Sequence, residues 1–354
     1  MAGVSASQPE PWPAVVYALG FSWRKRALLR QFLASSQIRF VRQASAVPDG
    51  AMVAVWASGP HGARPGDTGV TQRYRKIYIE DGFLRSVGLG ADLVRPLSWV
   101  VDRTGIYYDA TQPSDLEQLL QTAPLDGPVL NRARALRRQL VASRLTKFNV
   151  GHPMWQRHPD ARQLKLVLVA GQVETDAAIR WGAPGIATNL ALLKAARLAE
   201  PNAWLIYKSH PDVVAGLRGA GADESLAHQY CNEIVTDVSM AALLDAVDAV
   251  HVLSSLAGFE ALLRKKEVVC HGAPFYAGWG LTHDHVHFSR RTRRLGLDQL
   301  VAGALIHYPC YVDRQTGELC QAEQALADLL AWQRVTGNQL PWWRKLIRPL
   351  IRHR

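Results

Sequence analysis

Cysteine is scarce and scattered: Cys231, Cys270, Cys310 and Cys320 include no CxxC pair. A zinc ribbon and a thioredoxin-type site are therefore not expected, and reduced thiols in a cytoplasmic setting are. No stretch reaches the roughly 18 uninterrupted apolar residues of a spanning helix. The opening MAGVSASQPEPWPAVVYALG has neither a basic n-region nor a long apolar core, so no signal peptide is expected. The chain has no Walker A sequence, no GxGxxG opening a helix after a strand, and no GxSxG. These absences count against P-loop kinases and ATPases, nicotinamide dehydrogenases and α/β-hydrolases. No solenoid period is present. The basic clusters lack interleaved aromatics and no nucleic-acid recognition motif occurs, so nucleic acid is not an expected partner.

What is present is a basic excess, 41 Lys and Arg against 30 Asp and Glu, for a net charge of +11. Such an excess favours anionic partners. The dense spots are Arg24-Lys25-Arg26, Arg290-Arg291 with Arg293-Arg294, and the tail from Trp342-Trp343 to Arg354. With 354 residues, two domains are the natural reading.

Strand and helix patterns alternate in two blocks. AVVYALG (14–20), Ile38–Val41, Met52–Trp56 and Lys76–Ile79 read as strands, and Ser98–Asp102 with Gly105–Tyr108 as a hairpin. Residues 149–162, rich in His, Pro and Gly, read as a linker. The expectation is an α/β fold of two Rossmann-like domains facing a cleft, over 1–150 and 151–320, with a C-terminal helix and basic tail over 321–354.

The segment LKLVLVAGQVETD (164–176) organises the second block. Its apolar run ends at Gly171 and reads as a strand buried on both faces. Gln172, Glu174 and Asp176 follow at once, at the strand end where α/β folds place ligands. They fit the start of a helix equally well, because acids suit a helix N-terminus. Three other strand ends carry chemistry: Glu80-Asp81-Gly82, Lys208-Ser209-His210-Pro211, and Ser254-Ser255 before Gly258 and Glu260. A serine pair opening a helix can cradle a phosphate or simply cap the helix. Paired carboxylates suggest glycosyl chemistry, one acting as nucleophile and another as acid or base.

Four stretches together resemble the KpsC-type β-Kdo glycosyltransferases of bacterial capsule assembly. They are IEDGFLRSVGLGADLVRPLSWVVDRTGIYYDATQPSDLEQLL (79–120), GQVETDAAIRWG (171–182), TNLALLKAARLAEPNAWLIYKSHPDVVAGLRG (188–219) and SSLAGFEALLRKKEVVCHGAPFYAGWGL (254–281). The resemblance runs over roughly 75–320, and the chain has the length of one module of a family that often carries two. One local departure is Ser209, where a proline is usual before the histidine.

The resemblance implies transfer of Kdo, an acidic eight-carbon keto sugar, from CMP-β-Kdo with retention of configuration. The acceptor would be a β-Kdo linker on a lyso-phosphatidylglycerol glycolipid that carries capsule polysaccharide. It implies a GT-B-like arrangement with CMP mainly in the C-terminal domain, the acceptor on the N-terminal side, and no cofactor beyond the donor. Asp176 would attack C2 to form an aspartyl adduct, with Glu174 as the alternative nucleophile. Glu80 or Asp81 would serve as acid/base. His210, with Pro211 behind it, would stabilise the leaving phosphate, helped by Ser254 and Ser255. Gln172 and Glu174 would orient the donor, and Glu260 would bind ribose. Lys208, Arg180 and Arg85 are candidates for the Kdo carboxylate, and no metal is expected. The tail LPWWRKLIRPLIRHR reads as an interfacial segment or as a final helix packed on the protein. The implied location is cytoplasmic, at the anionic inner-membrane surface, with capsule synthesis or export proteins as possible partners. Two rivals stand beside it: a non-catalytic lipid- or polysaccharide-binding export component, which has no need to keep the complete set of motifs, and a transferase using another CMP-sugar, which shares the acidic-turn and His-Pro logic.

Overall fold

The computed structural model describes residues 12–62, 73–87, 95–147, 149–221 and 223–336. The basic tail beyond Gly337 lies outside the described residues.

The chain is drawn into two sheets. The first contains β1 (Val15–Leu19), β2 (Gln37–Val41), β3 (Met52–Trp56), β4 (Arg75–Asp81), β5 (Ser98–Asp102), β12 (Pro309–Val312) and β13 (Leu319–Cys320), in the order β13-β12-β5-β4-β3-β1-β2. Strands β1 to β4 run parallel, and β5 lies antiparallel between β4 and β12. The second sheet is parallel throughout. It contains β6 (Leu166–Ala170), β7 (Trp204–Lys208), β8 (Glu233–Val235), β9 (Ala249–Val252), β10 (Glu267–Cys270) and β11 (His283–Asp284), in the order β11-β10-β9-β6-β7-β8. The helices are α1 (Trp23–Phe32), α2 (Asp115–Thr122), α3 (Gly127–Ala142), α4 (Ala177–Gly182), α5 (Asn189–Ala199), α6 (Pro211–Val214), α7 (Met240–Ala246), α8 (Leu256–Leu263), α9 (Leu297–Val301) and α10 (Ala322–Thr336).

Counted from β6, the second sheet has the 3-2-1-4-5-6 order of doubly wound folds, so its order reverses between β6 and β9. The parallel part of the first sheet runs β2-β1-β3-β4 and reverses between β1 and β3. At such a reversal the connections leave in opposite directions and open a crevice beyond the carboxyl ends of the strands.

The five residues of β6 are all buried. Leu166, Leu168 and Ala170 join one apolar cluster, and Val167 and Val169 join another. The strand is thus buried on both faces, as its unbroken apolar run predicts. Each of its larger side chains contributes roughly 1.5–3 kcal/mol by burial. Gly171 then lets the chain turn close to β7, since a Cβ there would meet Tyr207 Oη at 2.6 Å.

Two features differ from the sequence reading. Residues 105–108 do not pair back on β5, because the buried Asp102 carboxylate gathers the chain instead. It accepts from Thr104 N at 3.0 Å, Gly105 N at 2.8 Å, Asp115 N at 3.0 Å and Tyr308 Oη at 2.8 Å. Residues 309–320 do not extend the second sheet: β12 pairs with β5, and α10 packs on α3 and β12. The chain therefore crosses back to the first sheet before residue 320, earlier than the 320/321 boundary read from sequence.

Three arginines of the basic run 290–294 are spent on contacts within the protein, although only Arg291 is buried. Arg290 and Arg291 hold the two oxygens of Glu117 at 2.6 and 2.9 Å. Arg291 also donates to Pro274 O and Ala277 O, and Arg293 to Leu120 O and Ala123 O. These cations tie α2 to the 274–277 turn.

Candidate active site

A cleft of about 1310 Å³ opens between the carboxyl ends of the two sheets. Its first wall carries Lys25, Trp56, Ser58, Glu80, Asp81 and Arg85. Its second carries Gln172, Asp176, Arg180, His210, Ser254 and Ser255. An aromatic seam joins the walls: Phe83 stacks on Phe275 at 4.6 Å, and Tyr107 meets both rings edge-on at 4.8 and 5.9 Å.

On the first wall, Glu80 and Asp81 are the last two residues of β4 rather than a turn beyond it. The period of two sends them to opposite faces. Glu80 is 9% exposed. It accepts from Ser58 N at 3.2 Å and Asp81 N at 3.1 Å. Burial, then the charge of Asp81, pushes its carboxyl up to about 7, against the partial relief of those hydrogen bonds and of Lys25. Asp81 is committed differently: it binds the buried Arg85 at 2.6 Å, and Arg85 also reaches Ser86 Oγ at 2.9 Å. Burial raises the half-buried Tyr107 hydroxyl well above its ordinary value, with Glu80, Asp81 and Asp176 adding to the push in that order. The carboxylates of both walls therefore act on one side chain.

On the second wall, the ends of β6 and β9 are clasped at the point where strand order reverses. Gln172 donates to Ser254 Oγ at 3.2 Å, and its carbonyl accepts from Ser254 N at 2.9 Å. Ser254 Oγ donates onward to Ala178 O at 2.7 Å. The main chain of Gln172 is held in turn by Asn189, through two bonds of 2.9 Å. Ser255 caps α8, its oxygen accepting from Ala257 N at 3.2 Å, which leaves its O–H hydrogen able to donate. Tyr276 Oη braces this turn by donating to Ser255 O.

Asp176 caps α4, accepting from Ala178 N at 2.9 Å. The helix-start reading and the site reading thus hold for one residue: its carboxylate is exposed and lines the cleft. His210 caps α6, with Nδ1 accepting from Asp212 N at 3.1 Å. A nitrogen that accepts a backbone N–H carries no proton, so the hydrogen of the neutral ring sits on Nε2. Burial first, then Lys147, lowers its pKa to about 4, so the ring is neutral at physiological pH. Pro211, the first residue of α6, presets that helix start.

Four residues expected at the site stand back from the cleft lining. Glu174 accepts from Asn189 N at 2.7 Å, at the start of α5. Lys208 is buried and donates to Val238 O at 2.6 Å, and burial lowers its amine to about 8. Glu260 lies on the buried face of α8, 8% exposed, and accepts from Lys147 N at 2.7 Å. Burial pushes its carboxyl up to about 7. Ribose recognition by Glu260 and carboxylate recognition by Lys208 are not what these placements suit, because each side chain is turned into the protein to hold backbone. Pro211 stands back with them and acts through His210. Of the three cations considered for a sugar carboxylate, Arg85 is spent on Asp81, whereas Arg180 is exposed in the cleft.

Sequence reasoning missed Lys25, Trp56, Tyr107, Lys147, Asn189 and Arg218. All but Asn189 line the cleft. Lys25 and Trp56 flank the reversal of the first sheet, and strand order was the signal that could have found them. Among the described residues, no group of three or more His, Cys, Asp or Glu is placed to hold a metal ion, and no helix is long and apolar enough to cross a membrane.

The profile described as capsule polysaccharide biosynthesis protein matches residues 68–147 and 131–314. The capsule polysaccharide modification protein LipA of Neisseria meningitidis serogroup B is 39% identical over 336 residues, which are 91% of this chain and 46% of LipA. The lipopolysaccharide-processing protein LpsZ of Rhizobium meliloti is 42% identical over 253 residues, 71% of this chain and 58% of LpsZ. The chain thus spans about half the length of these relatives. Two solved structures of Thermosulfurimonas dismutans KpsC are also similar. One, a beta Kdo 2,7 transferase, has a TM-score of 0.75 at 36% identity and covers 90% of this chain and 99% of that one. The other, a beta Kdo 2,4 transferase, has a TM-score of 0.77 at 32% identity, covering 88% and 97%.

Proposed function

Since the chain belongs to the capsule polysaccharide biosynthesis protein family, we propose that it is a retaining glycosyltransferase moving Kdo from CMP-β-Kdo to a glycolipid acceptor. The two sheets with a cleft between their carboxyl ends fit a GT-B-like enzyme, with the donor on the second wall and the acceptor on the first. The observation that carries the reading is the pair of carboxylates, Glu80 and Asp176, that line one cleft from opposite walls.

Asp176 is the nucleophile. Its carboxylate attacks C2 of Kdo, and the C2–O bond to CMP breaks with both electrons going to the phosphate. Glu174, held at the start of α5, is the weaker candidate. His210 Nε2–H, the Ser255 hydroxyl and the backbone N–H groups opening α8 stabilise the departing phosphate. The Ser254 hydroxyl is already given to Ala178 O, so Ser254 and Gln172 fix the turn instead. Arg180 meets the Kdo carboxylate. In the second step an acceptor hydroxyl attacks C2, Glu80 takes its proton, and the Asp176 carboxylate leaves. A carboxyl near 7 suits that exchange at neutral pH, whereas Asp81 serves by anchoring Arg85. Nothing beyond the donor is needed as cofactor.

We place the protein peripherally at an anionic membrane surface. Residues 12–48 contain six cations and no acid, and Trp23 on α1 is 71% exposed.

The test is CMP release from CMP-Kdo generated in situ, with and without a Kdo-terminated glycolipid. Acceptor-dependent release with a mass gain of one Kdo supports the proposal. No release in a folded sample that binds CMP refutes it.

A further inference from the structure

The second sheet's strand-order reversal is filled by the Gln172–Ser254 clasp. The first sheet has its own reversal, between β1 and β3, and it opens on the same cleft. Lys25 stands there, one turn into α1. Its ammonium lies 3.0 Å from the centroid of the Trp56 ring, at the end of β3. Trp56 is fixed from both sides. Trp99 meets its ring edge-on at 5.3 Å, and its Nε1 donates to Ser58 Oγ at 2.9 Å. Ser58 N in turn donates to Glu80. A platform, a cation and the candidate base are thus joined through three consecutive contacts.

Lys25 has no ion-pair partner among the described residues, although Glu80, Asp81 and Arg85 face it from β4 and the turn after it. Asp81 and Arg85 are paired with each other, and Glu80 is satisfied by backbone N–H groups. A half-buried cation without a counter-charge is costly, and the ring face offsets only part of that cost. We propose that Lys25 on Trp56 is the subsite for a negatively charged group of the acceptor, a sugar carboxylate or a lipid phosphate, held beside the hydroxyl that Glu80 deprotonates. This assignment of substrate class rests on the transferase reading above.

Two consequences follow. Burial lowers Lys25 to about 8, so it is charged below that pH and neutral above it. Anion affinity therefore falls as pH rises through about 8, well before an exposed lysine would discharge. An anion on Lys25 also cancels the field by which Lys25 lowers Glu80, so the base strengthens when acceptor arrives.

The test is calorimetric binding of three probes, the methyl β-glycoside of Kdo, sn-glycerol 3-phosphate and neutral methyl galactoside, to wild-type, Lys25→Met and Lys25→Arg protein, with CMP-Kdo transfer assayed on the same samples. The expected result is about ten- to hundredfold weaker binding of one or both anions in Lys25→Met, with Lys25→Arg close to wild type. The anion that responds identifies the group. Equal anion binding in Lys25→Met and wild type, or galactoside binding as tight as either anion, overturns the subsite. Lys25-dependent anion binding without Kdo transfer would keep the subsite and remove the transferase reading. Transfer with unchanged acceptor affinity in Lys25→Met would do the reverse.

Discussion

The carboxylate at the end of β4 and the one after β6 occupy matching places on opposite walls, yet they are housed differently. Glu80 is 9% exposed, accepts two backbone N–H groups and is pushed up to about 7 chiefly by burial. Asp176 is exposed and accepts one backbone N–H at the start of α4. Burial disfavours a charge, so a buried carboxyl can hold and release a proton near neutrality. An exposed carboxylate keeps its solvation and its reach. In the proposed mechanism the same residue chemistry is thus divided by environment into a proton carrier and a nucleophile. The proposed roles extend to the rest of each wall: on the first, Lys25, without an ion-pair partner among the described residues, would take an anionic acceptor, and on the second a neutral histidine and a helix start would take a phosphate.

The hardest blow to this division should come from Asp176→Asn. Asparagine still caps α4, so the fold should survive while transfer falls about a thousandfold or more. A melting curve beside a CMP-release assay separates the two effects.

Glu80→Gln should cost about 10²–10³-fold in transfer. Its wild-type counterpart should show a rate that rises with pH through about 7, as Glu80 becomes a base. The sign on stability is opposite. A carboxyl raised in the folded state contributes stability that is lost as pH rises through about 7. Glu80→Gln should therefore melt above wild type at pH 8, and lose less stability than wild type between pH 6 and 8. Calorimetry across that range checks it.

His210→Ala should lower kcat about ten- to hundredfold through loss of one donor to the leaving phosphate. The wild-type profile between pH 5 and 8 should carry no His210 limb, because the ring titrates near 4. Its stability contribution is full above its ordinary 6.5 and lost as pH falls through about 4. A histidine limb that vanishes in His210→Ala would contradict a neutral donor.

The smallest effect belongs to the clasp. Gln172→Ala orphans Ser254 N and should raise the donor KM about tenfold, with a loss of roughly 1–3 kcal/mol in stability. Denaturant unfolding and donor titration measure the two together.

Much of this was legible in the sequence. The β6 run LVLVA reads as a doubly buried strand and is one, and two of the three polar residues after it, Gln172 and Asp176, stand at the cleft. The serine pair, the histidine and the acidic pair were all placed at strand ends by pattern. Pattern does not show where a side chain turns. Glu174 and Asp176 are two residues apart, yet one anchors α5 and the other meets the cleft. Glu260 follows Ser255 by a little over one helical turn and is already on the buried face. Nor does local pattern reveal pairings across distant sequence: β12 beside β5, Arg291 on Glu117, or Lys25 over Trp56. Asp102 misled the hairpin reading because its burial lets it bind four groups that a strand residue would leave to the ladder.

The division of labour between the walls is tested most directly by intact mass of wild-type, Glu80→Gln and Asp176→Asn protein incubated with CMP-Kdo and no acceptor. The account predicts a gain of one Kdo on wild type, more of it on Glu80→Gln, where the second step lacks its base, and none on Asp176→Asn. An adduct on Asp176→Asn would contradict it.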